Sequence, residues 1–293
     1  MSPRDRETRD DGTIAVVGAG GMLGHDLMEV LGPRATGFVR ADLDVTDPAA
    51  ALSCLEGFDV IVNATAWNRV DDAETMRDDA YAVNSDGPAN LAAAAARNGA
   101  RLVHVSTDYV FPGDAAQPYP EDAPTAPVSV YGASKADGER RVREALPSAS
   151  AIVRTAWLYG RHGPSFARTM LRLADERDTV SVVDDQIGQP TWTRDLAVQI
   201  ARLINAGTPS GVYHGTNAGR TSWYGFAREI YRLAGLDPER IRPTDSTTFA
   251  RPAPRPAWSV LGHDAWARVG IEPMRAWQEA IAEAWAVGIF GPG

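Results

Sequence analysis

Four runs of nearly continuous apolar residues constrain this chain more than any other feature. They are TIAVVGA (Thr13 to Ala19), FDVIVNATA (Phe58 to Ala66), ARLVHVST (Ala100 to Thr107) and SAIVRTAW (Ser150 to Trp157). A strand that is apolar at every position must be covered on both faces, as happens in parallel sheets flanked by helices. Helical patterns separate the runs, among them ANLAAAAARNG, which closes on the Asn98-Gly99 C-cap signal. That alternation predicts a doubly wound α/β fold with a parallel sheet. The Gly87-Pro88 pair should interrupt the helix before it. Beyond Trp157 the pattern is less regular. A helix from Phe166 to Glu176, the strand VSVVDD, the helix RDLAVQIARLIN and the strand GVYHGT lead into the Pro-rich RPTDSTTFARPAPRPAW and a Trp-containing terminal helix. We read this half as a smaller α+β region on the same sheet.

At 293 residues, the chain is long enough to bury a sizeable core. Its formal charge of −9 gives no electrostatic footprint for nucleic acid or an anionic membrane, so an anionic ligand needs a local site. One cysteine, Cys54, excludes an intramolecular disulfide and fits a reducing cytoplasm. Five scattered histidines without a Cys partner give no metal spacing, and no metal is expected. The opening MSPRDRETRDDG mixes both charge signs without an apolar run and reads as a disordered lead, residues 1–12, rather than a targeting peptide. No segment offers the ~20 apolar residues that span a bilayer.

The first chemical signal is GAGGMLG, with Gly18, Gly21 and Gly24 spaced by three directly after a strand and opening a helix. Leu23 stands where the plain G-x-G-x-x-G form has its third glycine, so the match is to G-x-x-G-x-x-G. Such glycines let the backbone turn sharply and approach a pyrophosphate on the helix N-terminus. This assigns residues 13–155 to a Rossmann-type dinucleotide-binding domain. Residues 156–293 become a mainly substrate-binding region interleaved with it. About twenty residues on, Arg40 occupies the place where NAD-selective sites carry an acid, and an arginine can pair with a 2′-phosphate. NADPH is therefore favoured, while Asp42 and Asp44 leave NADH open.

The second signal is YGASK, Tyr131 to Lys135. Lys135 is the single lysine among 29 basic residues, and it stands four after a tyrosine, on the same face of a helix. A reductase must protonate the oxygen that a hydride converts to alkoxide. Phenol is a poor acid, with a reference pKa of about 10, and an adjacent ammonium would lower it; a fall of ~3 units corresponds to roughly 4 kcal/mol. A compact ammonium with three donors suits that task better than a planar guanidinium. Thr107, at the carboxyl end of a strand where ligands gather in such sheets, could hydrogen-bond a substrate carbonyl beside Tyr131.

With the glycine triplet, STDYVF and Y-x-x-x-K together, the chain resembles the extended short-chain dehydrogenase/reductase superfamily. It is more closely similar to the dTDP-4-dehydrorhamnose reductase family, through VNATAWNRVDDAE, AYAVNSDGPANLA, VYGASKADGE, VRTAWLYG, DDQIGQPTWTRDLA, TSWYGFA and RPAWSVL. The resemblance implies hydride transfer from NADPH to the 4-keto carbon of a dTDP-6-deoxyhexulose, with Tyr131 as proton donor, Lys135 on the nicotinamide ribose and Thr107 polarising the ketone. It places Gly18, Gly21, Met22, Leu23, Gly24, Arg40, Asp44, Val45, Asn63, Ala64, Ala66 and Asn84 with the cofactor, beside Tyr131 and Lys135. It places Val70, Thr107, Asp108, Tyr109 and Trp157 at the sugar, and Gln186, Gly188, Pro190 and Arg255 at the nucleotide end. Its implied partners are a dTDP-linked keto sugar and at most a second copy of the chain.

Trp67 stands where this family usually has tyrosine, Ser165 where asparagine is common, and LGHDAW replaces the usual LD after SVL. These departures bear on which sugar is reduced, and a related 4-keto sugar of a specialised, streptose-type pathway is the alternative. A 4,6-dehydratase would carry an Asp-Glu pair after the strand-end threonine, whereas Asp108 is followed here by Tyr109. A non-catalytic NADP-binding regulatory subunit is the competing class, against which the intact Thr107, Tyr131 and Lys135 argue.

Overall fold

The computed structural model describes residues 12–249 and 251–291. All of the proposed lead except Gly12 lies outside the described residues. Its centre is a six-stranded, wholly parallel sheet built from β1 (Ile14–Val17), β2 (Ala35–Phe38), β3 (Val60–Asn63), β4 (Arg101–Thr107), β5 (Ser150–Thr155) and a sixth strand, Gly211–His214. Period-two alternation sends Ile14 and Val16 to one face of the sheet and Ala15 and Val17 to the other. The first face is covered by α1 (Met22–Leu31) and by the helix Thr193–Asn205, through Leu27, Leu196 and Ile200. The second is covered by α2 (Pro48–Cys54), α4 (Gly87–Asn98) and α5 (Val130–Ala145), through Ala51, Leu91 and Val142. Both faces are dry, which is why the strands read as unbroken apolar runs.

In spatial order the strands run from the sixth through β5, β4, β3 and β1 to β2. The chain leaves β1 in one direction for β2, then returns to its other side for β3. The crevice beyond the carboxyl ends at that reversal is the expected ligand position in an open α/β sheet.

The chain enters α4 from α3 (Arg77–Tyr81) without the interruption expected at Gly87-Pro88. Instead the turn Ala82–Asp86 widens to π geometry, with Gly87 N–H reaching Ala82 O. The wider turn accommodates Pro88, which lacks an N–H, at the start of α4. Gly99, in the left-handed conformation at φ 68°, ends α4 as its C-cap.

The remaining elements are β6 (Leu158–Tyr159), α6 (Phe166–Glu176), β7 (Val180–Val183), β8 (Ile187–Gly188), β9 (Thr191–Trp192), α7 (Thr193–Asn205), β10 (Gly211–His214), β11 (Thr221–Ser222), α8 (Trp223–Leu233), β12 (Ile241–Thr244), α9 (Asp264–Arg268) and α10 (Trp277–Ala286). Here the single-sheet expectation needs correction. β10 does join the central sheet, but VSVVDD supplies β7, which pairs with β12 in a separate two-stranded sheet. α6, α8 and α10 close over that small sheet around Phe226, Tyr231 and Ile281. Its strands meet a helical layer of their own, so they have no apolar reason to extend the main sheet.

Candidate active site

The crevice at the strand reversal opens into a cavity of about 790 Å³. One end is the glycine loop. Gly18 has φ +92°, and a Cβ there would stand 2.9 Å from the Ala64 backbone, so only glycine fits. Its amide and that of Ala19 bond Phe38 O, fastening the loop to the end of β2. Bonding along α1 begins with His25 N–H to Gly21 O at 3.0 Å. The amides of Met22, Leu23 and Gly24 make no hydrogen bond among the described residues, and the N-cap, Gly21, offers no side chain. A pyrophosphate fits such a cradle of free donors. Gly18, Gly21, Met22 and Leu23 line the cavity, as does Gly20, which the triplet spacing passed over. Gly24 does not: a Cβ there would overlap Gly18 O, so this glycine serves the packing of helix on loop.

Beyond β2, the cavity wall includes Arg40, Asp44 and Val45. Asp42 Oδ2 accepts from Val39 N–H at 3.0 Å, and Asp44 Oδ1 accepts from Thr46 N–H at 3.0 Å and Thr46 Oγ1 at 2.8 Å. The bonds to Thr46 hold the Asp44 carboxyl below its ordinary pKa. Both acids are thus committed to their own loop. Arg40 is 87% exposed, with Asp44 its one ion partner among the described residues, at 3.6 Å. The residues fit a 2′-phosphate on Arg40 better than a free ribose hydroxyl on a carboxylate.

After β3, Ala64 and Ala66 line the cavity but Asn63 does not. Asn63 is buried, its Oδ1 receiving Thr65 N–H (3.0 Å) and Thr65 Oγ1 (2.6 Å), its Nδ2 donating to His104 Nδ1 (3.0 Å). That donation makes Nδ1 the acceptor and leaves the His104 proton on Nε2. Burial, reinforced by the charge of Lys135, pushes the His104 pKa well down, so this ring is neutral. Asn84, on the π turn, also stands behind the wall. It bonds both Trp67 N–H (2.8 Å) and Trp67 O (3.0 Å), and donates to Ser134 Oγ (3.0 Å). Both asparagines stand behind the cavity lining, and their amides are satisfied by protein partners.

The opposite wall is α5. Ser129 caps it, accepting Gly132 N–H at 3.1 Å, and Glu74 Oε1 accepts Val130 N–H at 2.9 Å. A Cβ on Gly132 would overlap Tyr109 O, and one on Gly138 would overlap Asn84 O. The helix therefore lies at backbone distance from the elements that carry Thr107, Asp108 and Tyr109. Tyr131 and Lys135, one helical turn apart, both reach the cavity with Thr107. Tyr131 packs edge-on to Tyr109, ring centres 5.5 Å apart.

The electrostatics depart from the expectation. Burial pushes the Tyr131 phenol up to about 12, with the Thr107 hydroxyl acting against it and the charge of Asp108 with it. The Lys135 ammonium donates to Val105 O, 2.7 Å away. Burial pushes Lys135 itself down to about 8, opposed by Glu139. The phenol is thus fully protonated at neutral pH, the form a proton donor needs. Thr107 Oγ1 donates to Asp108 Oδ1 at 2.9 Å and accepts from Tyr109 N–H at 3.2 Å. Its proton therefore faces a carboxylate rather than open cavity. Asp108, pushed up to about 6 by burial, keeps an unpartnered Oδ2 among the described residues.

Val70, Asp108, Tyr109 and Trp157, the residues expected at the sugar, also line the cavity. Trp157 holds a left-handed backbone, φ 47°, and its indole stacks on Trp223 at 3.5 Å between ring centres. Trp223 lines the cavity too and was not foreseen as a site residue, although it lies within TSWYGFA. Gly188 does not reach the cavity; a Cβ there would stand 2.5 Å from the Trp157 indole, so it makes room for that ring. Gln186 donates to Ser246 Oγ at 2.8 Å, Pro190 is buried just before β9, and Arg255 pairs with Asp71 at 3.0 Å. These four residues of the expected nucleotide end thus stand outside the cavity wall, with Gln186 and Arg255 held by side chains from distant segments.

Residues 12–288 match the family model described as the RmlD substrate binding domain. A dTDP-4-dehydrorhamnose reductase from Streptomyces griseus is 51% identical over 278 residues, 92% of this chain and 91% of that protein. The chain belongs to the dTDP-4-dehydrorhamnose reductase family. A dTDP-4-keto-6-deoxy-D-glucose reductase from Streptomyces niveus is 48% identical over 274 residues, 92% of this chain and 95% of that one. The crystal structure of dTDP-4-dehydrorhamnose reductase from Bacillus anthracis in complex with NADP superposes with a TM-score of 0.90 at 37% identity, covering 94% of this chain and 99% of that chain.

Proposed function

We propose that this chain is an NADPH-dependent reductase of the 4-keto group of a dTDP-4-keto-6-deoxyhexose, converting dTDP-4-dehydrorhamnose to dTDP-L-rhamnose. The observation that carries this reading is the convergence of Thr107, Tyr131 and Lys135 on a cavity whose other end is the free-amide cradle of α1. NADPH supplies the hydride when bound. The α1 amides hold its pyrophosphate and Arg40 its 2′-phosphate. Lys135, whose ammonium also donates to Val105 O, hydrogen-bonds the ribose. The Tyr131 phenol gives its proton to the substrate oxygen as that oxygen gains charge. Thr107 turns its hydroxyl proton from Asp108 Oδ1 to the substrate oxygen when the ketone binds. The paired Trp157 and Trp223 rings give the sugar an apolar wall beside these polar groups. The same proposal includes a cytoplasmic location, consistent with the absence, among the described residues, of any helix long and apolar enough to cross a membrane, and a homodimer.

A second reading rests on the nearly equal identity to the Streptomyces niveus protein, 48% against 51%, together with Trp67 in the cavity wall. It keeps the chemistry and changes the sugar to a related 4-keto hexose of a specialised pathway. The deciding experiment follows NADPH oxidation with each dTDP-keto sugar, against UDP-linked controls, in the wild-type protein and in Tyr131→Phe. The variant should bind NADPH normally and turn over at least ~100-fold more slowly. Wild-type turnover in Tyr131→Phe would remove the tyrosine from the mechanism, and NADPH binding without ketone-dependent oxidation would indicate a regulatory subunit.

A further inference from the structure

The cavity wall contains two arginines, Arg40 and Arg69. Arg40 belongs to the cofactor end. Arg69 follows β3, next to Val70 and within three residues of Asp71 and Asp72. Its guanidinium lies 4.0 Å above the Trp67 ring centre, and the Trp67 indole N–H donates to Arg69 O at 3.1 Å, so ring and cation hold one another in place. The side chain is 58% exposed. Its ion partner, Asp72, stands 3.5 Å away and is itself half exposed, and no hydrogen bond forms from the Arg69 guanidinium among the described residues. Arg255, by contrast, is committed to Asp71 Oδ1 and to Ala253 O (3.1 Å). Arg251 also approaches Asp71, at 3.6 Å, leaving three arginines around two carboxylates at this edge of the cavity.

We propose that Arg69, held on Trp67, binds the diphosphate of the nucleotide-sugar substrate and is a specificity-determining residue of this chain. The inference rests on the substrate class proposed above. An acidic protein must supply local positive charge for such a dianion, and Arg69 is the cavity-lining guanidinium on the Val70 and Tyr109 side whose fork is free for bidentate contact. A cofactor phosphate is the other source of the same chemistry. The place of Arg69 next to Val70, on the part of the wall proposed for the sugar, assigns it to the substrate. Trp67, where the family usually has tyrosine, then has a physical role: its larger face carries the cation and its N–H fixes the turn.

Calorimetric titration of dTDP, dTMP and NADPH into the wild-type protein, Arg69→Ala, Arg69→Lys and Trp67→Tyr tests this, with thermal melting as a folding control. The exposed position of Arg69 makes it replaceable without loss of the fold. Arg69→Ala should weaken dTDP about tenfold or more and dTMP less, leaving NADPH unchanged. Arg69→Lys should recover part of the loss, and Trp67→Tyr should show a smaller loss confined to dTDP. Unchanged dTDP affinity in Arg69→Ala, or a loss on NADPH instead, overturns the assignment while leaving the reductase reading intact. Failure of the wild-type protein to bind dTDP would remove the substrate class itself.

Discussion

Two buried charges on α5, one turn apart, are treated in opposite ways. Glu139 is 3% exposed and meets the equally buried Arg154 through three contacts, Nε to Oε1 at 3.0 Å, Nε to Oε2 at 3.2 Å and Nη2 to Oε2 at 2.7 Å. Arg154 also stacks over Phe111 and reaches Glu121 O. Lys135 is 2% exposed, yet among the described residues its nitrogen meets one carbonyl and no carboxylate at hydrogen-bonding distance. The first arrangement is a closed structural pair. The second is a charge kept in a low-dielectric place and left short of partners, which is how a group becomes available to a ligand. Replacing one member of the pair should therefore harm the fold, and replacing the lone charge should harm only the chemistry.

The largest expected effect is on the pair. Glu139→Gln leaves the Arg154 cation buried without its counter-charge and should destabilise the protein by about 3–5 kcal/mol in urea denaturation. The apolar double replacement Glu139→Leu with Arg154→Met should recover most of that loss. If the single variant is as stable as wild type, the pair is not closed in the sense described. Lys135→Met provides the opposite arm: turnover should fall at least ~100-fold, while stability at pH 7 holds or rises by up to about 3 kcal/mol, since the desolvated ammonium is gone. Loss of stability comparable to that of Glu139→Gln would erase the contrast.

Asp108 extends the comparison to an anion. Its folded pKa, pushed up to about 6, lies above the ordinary carboxylate value. Its favourable contribution is thus present below about pH 4 and lost as pH rises through about 6, leaving at pH 7 a buried carboxylate with an unpartnered oxygen. Asp108→Asn should raise stability at pH 7 by about 1–3 kcal/mol and flatten the slope between pH 4 and 6 in melts across that range. An unchanged slope would mean that water or a neighbour already satisfies the group.

What was legible in the sequence follows from the range of the forces involved. Alternation of apolar runs is a local signal, and the parallel sheet with helices on both faces follows from it. The positions of Thr107, Tyr131 and Lys135 at a strand end and on one helix face are also local facts, and the structure brings the three to one cavity. The direction of the Lys135 ammonium was not legible, because Val105, thirty residues earlier, decides it. Nor was the stack of Trp157 on Trp223, which needs the space left by Gly188. Arg255 reads as a free phosphate ligand until Asp71, far away in sequence, is seen to hold it. The pairing of β7 with β12 escaped notice for the same reason: two short strands sixty residues apart carry no mark of their partnership.

The smallest expected effect is also the most direct measure of how the two α5 charges communicate. Lys135 in the folded protein is pushed down to about 8, below its unfolded value, so between that pH and about 10.5 the unfolded chain carries the extra proton and this group's contribution to stability increases with pH. Activity should run the other way. As pH rises through about 8 the ammonium discharges and kcat/KM for the keto sugar should decline, whereas a tyrosine up near 12 adds no limb in that range. Glu139 is the group whose charge holds the lysine up against burial. Glu139→Gln, assayed at a temperature where it remains folded, should therefore move the alkaline limb to lower pH by less than one unit. A limb that stays in place would show that Arg154 fully neutralises Glu139 as seen from Lys135, and that the structural pair and the chemical charge are electrostatically independent.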